Sequence, residues 1–205
     1  QDVIQREGLS MSDLAKAQLM LVDVCEAVLR QQQQGAAVAS VGDDAMDGGV
    51  SATAAADYVR AHLEYTVAAM RVGSIDARDR LPTTLGLLRE RRDLWCKANR
   101  VLGGECAPAV WMFVKWRVQL LAALSESHGE CVTGALERLA KSYPRALYFP
   151  FQLSRAALKR RTAQSAAART TVAKLEEQLK SPFLSSPATA VEGLTPPHLR
   201  RRDCR

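Results

Sequence analysis

Long apolar segments are missing from this chain of 205 residues. Its longest uninterrupted apolar run covers only nine residues, from Cys106 to Val114. A helix that crosses a membrane needs about twenty such residues, so we expect no membrane contact. Aromatic residues are also scarce, at 5% of the chain, although 47% of all residues are hydrophobic. Alanine supplies much of that fraction, and the length of 205 residues predicts one domain or two small ones.

Clusters of cysteine and histidine are absent as well. The five cysteines are widely spaced, form no C-x-x-C pair and have no plausible histidine ligand nearby. This spacing argues against a disulfide framework or a structural zinc site, and it favours a reducing compartment such as nucleus or cytosol. His62, His128 and His198 are equally isolated. We therefore expect these histidines to be solvated or to cap helices.

Catalytic signatures are lacking too. The sequence has no Gly-rich phosphate loop, no His-Arg-Asp catalytic loop and no Asp-Phe-Gly metal site, which are the parts that a protein kinase needs. Ser51, Ser125 and Ser127 have no His/Asp pair nearby in sequence, although a triad assembled only in three dimensions stays open. No residue is assigned a catalytic, cofactor-binding or metal-binding role, and no cofactor is expected in this segment.

The sequence does contain one helical pattern after another and no convincing strand. Apolar residues from Leu14 to Val28 recur at steps of three and four, which predicts an N-terminal helix over residues 1–34. The stretch 35–53 is rich in glycine and aspartate, and we expect a flexible loop there. A helical repeat segment over 54–205 follows. Since the chain begins with Gln1 and its helical pattern begins early, we expect a piece of a longer polypeptide.

Helix boundaries within 54–205 are marked by capping residues and prolines. Ser74 is expected to cap a helix through its hydroxyl, and Pro82 to restart one. Ser127 and Glu130 match a capping box. The segment 109–124 is apolar on most sides, which indicates a helix sandwiched between neighbours. The predicted fold is all-α, an α-solenoid of antiparallel helix pairs, with a closed bundle as the alternative.

Seven of the eleven aromatic residues lie between Trp111 and Phe151. Large rings bury much apolar area, so this region is predicted to hold the structural core. The predicted core residues are Trp111, Phe113, Trp116, Leu120, Leu136, Tyr143, Pro144, Tyr148, Pro150 and Phe151. The alternative role for Trp111 and Trp116, stacking on nucleic-acid bases, is less favoured because few cations alternate with them.

The basic character of the chain is confined to its last quarter. Residues 155–205 carry 11 basic and 4 acidic side chains, whereas residues 1–154 carry 17 and 18. The run beginning at Lys159, Arg160, Arg161 and Arg169 is a candidate contact for DNA or an acidic partner. The alternative is a solvated, partly disordered linker.

The block 107–154 has an ordered arrangement of aromatic, glutamine and proline positions. It contains W-x-x-Q-L-x-x-x-L from Trp116 to Leu124, and then Tyr-Pro-x-Ala-Leu-Tyr-x-Pro from Tyr143 to Pro150. This block resembles the FAT domain of the phosphatidylinositol 3-kinase-related kinases, so the fold expected by resemblance is a TPR/HEAT-like FAT region.

Within that family the likeness is greatest to the branch that repairs DNA double-strand breaks by non-homologous end joining. Three features carry it: Ser74-x-x-Ala77-Arg78 with Leu81-Pro82; the spacing of Trp111, Phe113 and Trp116; and the pattern from Val172 through Leu179 to Asp203. Together they cover residues 54–203. The sequence around Tyr148 is also similar to that of the pseudokinase scaffold of histone acetyltransferase complexes. That scaffold is one alternative, and a helical module that binds nucleic acid or protein is another.

The resemblance implies a scaffold role for this segment in a nuclear serine/threonine kinase. In that family the FAT helices wrap around a kinase domain of the same chain, and that domain uses ATP and magnesium. The implied partners are this kinase domain, DNA end-binding repair proteins and, through the parent complex, DNA itself. No membrane partner is implied.

Overall fold

A computed structural model describes residues 10–39, 52–162 and 165–180. This part of the chain contains ten α-helices and no β-strand. The helices are α1 (Met11–Ala39), α2 (Ala52–Arg71), α3 (Ile75–Asp79), α4 (Leu81–Leu88), α5 (Trp95–Gly103), α6 (Trp111–Val114), α7 (Arg117–Leu124), α8 (Thr133–Ser142), α9 (Pro144–Arg161) and α10 (Ala166–Gln178). Short 3-10 helices, Arg92–Leu94 and Gly129–Val132, precede α5 and α8. The predicted all-α fold is confirmed.

The helices pack in series along the chain, each on the next helix or on one two or three positions further on. Helix α1 lies on α2, which contacts α3, α4 and α5; α5 then packs on α8, and α8 on α10. This order of contacts is that of an α-solenoid, in which successive helices bury each other's apolar faces. One continuous core of buried apolar side chains runs from Leu29 in α1 to Leu179 just after α10. None of the described helices is long and apolar enough to cross a membrane.

The first helix differs from its predicted form in two respects. It continues to Ala39, beyond the expected end at Gln34, and residues 40–51 of the predicted loop lie outside the described residues. The predicted buried face included Leu21 and Val24, but both are exposed while Val22 is buried, so the buried face is rotated from the predicted one. Both stripes are apolar, and only packing against α2 decides which one is covered.

Capping and proline residues set several helix boundaries. The hydroxyl of Ser74 accepts a hydrogen bond from the amide of Ala77, as predicted for a cap. Pro82 lies in the first turn of α4, where its missing N–H costs nothing. Pro144 does the same for α9. The predicted capping box at Ser127 and Glu130 is wrong, since α8 begins at Thr133 after a 3-10 turn.

The apolar segment 109–124 forms two helices instead of one. Helix α6 ends at Val114, and α7 begins at Arg117. Between them Trp116 leaves the helical conformation, with φ −102° and ψ 16°. This break turns the Trp116 side chain toward α3, where it finds a hydrogen-bond acceptor described below.

Helices α5 and α8 approach each other closely at two glycines. A Cβ atom added at Gly103 would lie 2.5 Å from the Cα atom of Gly134, closer than any non-bonded carbon pair permits. The side-chain oxygen of Asn99, one turn earlier in α5, accepts hydrogen bonds from the amide of Gly134 at 2.9 Å and the hydroxyl of Thr133 at 3.0 Å. Helix α8 is therefore capped by a residue of another helix.

Candidate functional site

The predicted aromatic core is partly inside and partly at the edge of the fold. Five of its ten residues are buried: Phe113, Leu120, Leu136, Tyr148 and Phe151. Trp116, Pro144 and Pro150 are half-buried. Trp111 and Tyr143 are 43% and 40% exposed, which corrects their expected place in the core. Each lies at a helix terminus, Trp111 at the start of α6 and Tyr143 between α8 and α9.

Trp116 joins two of the sequence features that carry the resemblance. Its indole Nε1 donates a hydrogen bond to the carbonyl oxygen of Arg78 at 2.8 Å. Residue 82, which would donate to that carbonyl in a continuous helix, is a proline and has no N–H. The ammonium of Lys115 lies 4.9 Å from the Trp116 ring centroid, within range of a cation–π interaction. The tryptophan thus satisfies an acceptor that Pro82 leaves without its helical donor.

A partly buried polar network connects α1, α2 and the turn between α3 and α4. Oε1 of Glu26 lies 3.2 Å from Nε2 of His62 and 3.2 Å from Nη1 of Arg80. Nη2 of Arg80 is 2.6 Å from Oδ1 of Asp23. His62 is fully buried, so the expectation that it is solvated is wrong. The ionised carboxylate can only accept hydrogen bonds, and Nε2 of His62 is therefore the donor.

The electrostatics of this network follow from burial and from its charges. Burial lowers the pKa of His62, against the opposing effect of Glu26. Burial raises the pKa of Glu26, but the hydrogen bond from His62 and the positive charges of Arg80 and Arg30 hold it below its ordinary value. The network therefore contains a neutral imidazole bound to an ionised carboxylate near neutral pH. This arrangement fixes α1 against α2 and offers no open position for a substrate.

His128 is the second histidine that is buried although it was expected to be solvated or to cap a helix. It is buried beside Glu126, with 3.8 Å between Nδ1 and the carboxylate, and burial lowers its pKa as well. His198 lies outside the described residues. For His62 a signal was present in the sequence, because the residue shares the apolar stripe of α2 with Tyr58 and Tyr65.

The predicted basic strip is helical where the structure describes it. Lys159, Arg160 and Arg161 form the last turn of α9, and Arg169 lies in α10. The expectation of a disordered linker is therefore wrong for these residues. Nζ of Lys159 is 2.8 Å from Oε1 of Glu176, an oxygen that also accepts from Nε of Arg155 at 2.5 Å.

Glu176 therefore neutralises part of the positive charge of this strip. The same ion pairs connect α10 to α9. The hydrogen bond from Lys159, with that from Arg155, lowers the pKa of the Glu176 carboxyl. Arg160, Arg161 and Arg169 are exposed and form no salt bridge within the described part of the chain. These three cations remain the accessible portion of the strip, and their contact with DNA or an acidic partner stays a prediction.

The residue types that bind metal ions are dispersed over the ranges that the structure describes. No cluster of three or more His, Cys, Asp or Glu side chains in those ranges is arranged to hold a metal ion. The four described cysteines are free thiols, with Cys25 and Cys131 buried and Cys96 and Cys106 exposed. Burial raises the pKa of Cys131 to about 12, so this thiol is not a nucleophile near neutral pH.

Comparison with known proteins identifies one recurrent relative. The DNA-dependent protein kinase catalytic subunit of Xenopus laevis is 26% identical to this chain over 152 residues, which is 72% of the present chain. The chain is similar to that kinase subunit. The proteins of the same name from Dictyostelium discoideum and Gallus gallus are 28% and 22% identical over 61% and 74% of the chain. The predicted resemblance is thereby confirmed, although no protein-family model matches the chain.

The chain spans about 3% of the length of each of these DNA-dependent protein kinase catalytic subunits. The similarity therefore concerns one helical segment of a very large protein. Within this segment the residues that carried the resemblance at the level of sequence are structural ones. Trp116, Arg78 and Pro82 join α3, α4 and α7, and Tyr148 packs in the core.

Proposed function

We propose that this chain is a non-catalytic scaffold segment of the FAT type in a DNA-dependent protein kinase-like serine/threonine kinase. The single observation that carries the proposal is the hydrogen bond from Trp116 to the carbonyl of Arg78. This bond holds together two helices whose motifs, around Arg78 and around Trp116, both belong to the resemblance. The similarity to DNA-dependent protein kinase catalytic subunits supports a parent protein of that kind. Contacts that hold helices together are what a scaffold needs.

The scaffold acts mechanically. A stack of helices with one continuous core transmits a displacement along its length, since close-packed interiors deform little. The kinase domain of the parent is the proposed recipient, and it would use ATP and magnesium outside this segment. The proposed setting is the nucleus, in repair of double-strand breaks by non-homologous end joining, together with DNA end-binding proteins.

The test requires the full-length gene product. We would express it with an intact segment or with Trp116→Ala and measure ATP-dependent phosphorylation of a serine peptide, with and without linear duplex DNA. Kinase activity stimulated by DNA ends, and reduced by Trp116→Ala more than by the surface control Trp111→Ala, is the expected result. Equal activity of all three proteins would contradict a positioning role for this segment.

The reading frame beyond residue 205 separates kinase from pseudokinase. Metal-binding aspartates in a downstream kinase domain are expected. Their absence would favour the alternative scaffold of a histone acetyltransferase complex, to which the wording around Tyr148 is also similar. Nuclear location is checked by imaging the tagged full-length protein, and an exclusively cytoplasmic signal would oppose the proposal.

A further inference from the structure

One face of α9 presents large apolar side chains to solvent between two arginines. Phe149 is 53% exposed and Leu153 is 88% exposed. The two lie four residues apart, and therefore side by side on the helix. Ala156, Arg145 and Arg160 are exposed as well and fall on the same face by helical spacing. We call these five residues the α9 patch.

The patch is held in a fixed shape by the core beneath it. The buried ring of Tyr148 packs edge to face against Phe149, with 5.2 Å between ring centroids and 83° between planes. On the opposite side of the helix Phe151 and Leu158 are buried. Because α9 is already anchored, a partner would not have to order the backbone of this helix on binding, which favours affinity.

The backbone of α9 adds a polar feature. Pro150 lies inside the helix and has no N–H, so the carbonyl of Ala146 lacks its usual helical donor. Ala146 is seven residues before Leu153 and therefore on the same side of the helix. A hydroxyl or amide of a bound partner could donate to this carbonyl.

Charge identifies the kind of partner. The residues 133–180 contain ten basic and three acidic side chains, a net charge of +7. All three acids are already engaged: Glu137 with Lys174, Glu176 with Lys159 and Arg155, and Glu177 with Lys180. Arg145 and Arg160 form no salt bridge within the described residues. The complement to this surface is negatively charged.

We propose that the α9 patch docks an acidic amphipathic helix of a partner protein. The apolar centre distinguishes this partner from DNA, because an exposed leucine and phenylalanine between the arginines match apolar side chains better than a phosphate backbone. Arg145 and Arg160 are fifteen residues apart, about 22 Å along the helix. A partner helix would carry acidic residues at a similar spacing with leucine-like residues between them. This inference goes beyond the proposed function and does not rest on it, since any helical scaffold could present such a face.

The experiment uses the 205-residue chain and a synthetic, N-acetylated helical peptide. The peptide carries two glutamates fifteen positions apart and three leucines on the same face between them. Binding is followed by fluorescence anisotropy of the labelled peptide. The double variants Arg145→Glu/Arg160→Glu and Phe149→Ser/Leu153→Ser are each expected to weaken binding by about tenfold or more. All four positions are exposed, and circular dichroism checks that the variants remain folded.

Matched controls separate the patch from general charge and stickiness. Arg71→Glu/Arg100→Glu changes the net charge equally at exposed positions on α2 and α5, and Val118→Ser removes an exposed apolar residue of α7. Both control variants should bind the peptide as the unmodified chain does. A control loss equal to that of the patch variants would overturn the proposal.

Two further probes can also overturn it. A peptide with its leucines replaced by serine should bind at least about tenfold more weakly; equal binding would reduce the surface to an electrostatic one. A labelled 20-base-pair duplex is titrated at low and high salt. Salt-dependent DNA binding that exceeds peptide binding and is lost in Arg145→Glu/Arg160→Glu would assign the surface to DNA instead.

Discussion

The side-chain oxygen of Asn99 in α5 accepts a hydrogen bond from the amide of Gly134, 35 residues later, at the start of α8. The first amides of a helix have no partner within the helix, and the N-cap position of α8 is Val132, whose side chain cannot accept. Asn99 also accepts from the hydroxyl of Thr133. One side chain therefore both caps α8 and fixes it against α5.

Asn99→Ala is expected to destabilise the protein by about 1 kcal/mol, within the range observed when caps are removed. The free energy of unfolding is measured by urea denaturation. Asn99→Asp is the control, because it keeps the acceptor and places a negative charge near the helix N-terminus, which is favourable. If the alanine variant is as stable as the aspartate variant, the cap contributes nothing.

Gly134→Ala and Gly103→Ala should each cost about 1–3 kcal/mol, since the new methyl group would meet the backbone of the opposing helix. Gly86 supplies the matched control. It lies in α4, and a Cβ atom there would have nothing within 4 Å. Gly86→Ala is expected to stabilise by about 0.5–1 kcal/mol. Thermal unfolding measures the three variants. A lower melting temperature for Gly103→Ala and Gly134→Ala, with a higher one for Gly86→Ala, would support the close approach of α5 and α8.

Trp116→Ala should lower the free energy of unfolding by about 3 kcal/mol, the low end for a tryptophan because the ring is half-buried. Trp116→Phe keeps most of the packing and loses the hydrogen bond to Arg78, at a cost of about 1 kcal/mol. Trp111→Ala, on the exposed ring, should change stability by less than about 1 kcal/mol. Equal losses of unfolding free energy in the two alanine variants would contradict the different burial of Trp116 and Trp111.

Stability should fall as the pH is lowered from 7.5 to 5. His62 and His128 have pKa values below the ordinary 6.5 because both are buried. The unfolded chain takes up protons at these histidines as the pH passes through that value, whereas the folded chain takes them up only at lower pH, so protonation favours unfolding. Below pH 4.5 Glu26, whose pKa is lowered in the fold, adds a loss in the same direction.

Urea denaturation at pH 7.5, 6.5 and 5.5 measures this dependence. In His62→Gln/His128→Gln the decrease over this interval should be smaller than in the unmodified chain. Parallel decreases in the two proteins would mean that other groups carry the effect. The sign of the change with pH, more than its size, is the quantity that tests the buried positions of the two histidines.

Local features of the fold were predictable from neighbouring residues. Ser74 caps its helix and Pro82 begins another because both effects act within one turn of backbone. The capping box at Ser127 failed because α8 begins only at Thr133, and there Asn99, distant in sequence, provides the acceptor. The position of Trp111 was also beyond the pattern, because periodicity shows that a residue is apolar and not whether a neighbouring helix covers it.

The candidate surface shows the same division. The basic residues of the last quarter are evident in the sequence. The ion pair between Lys159 in α9 and Glu176 in α10, which neutralises Lys159, is visible only in the structure. Phe149 and Leu153 are exposed beside the buried Tyr148 and Phe151, and apolar identity alone does not separate the two pairs. Which side of α9 faces solvent depends on the helices packed against it.

By itself the sequence determined the all-α class, many of the helix boundaries and the similarity to DNA-dependent protein kinase catalytic subunits. These depend on backbone propensity, apolar periodicity and the order of motif residues, all of which are read along the chain. Only the tertiary structure decided that His62 is buried against Glu26, that Trp116 bonds to Arg78, and that the α9 patch is uncovered. The physical reason is that burial and electrostatic pairing are properties of surfaces brought together from distant parts of the chain.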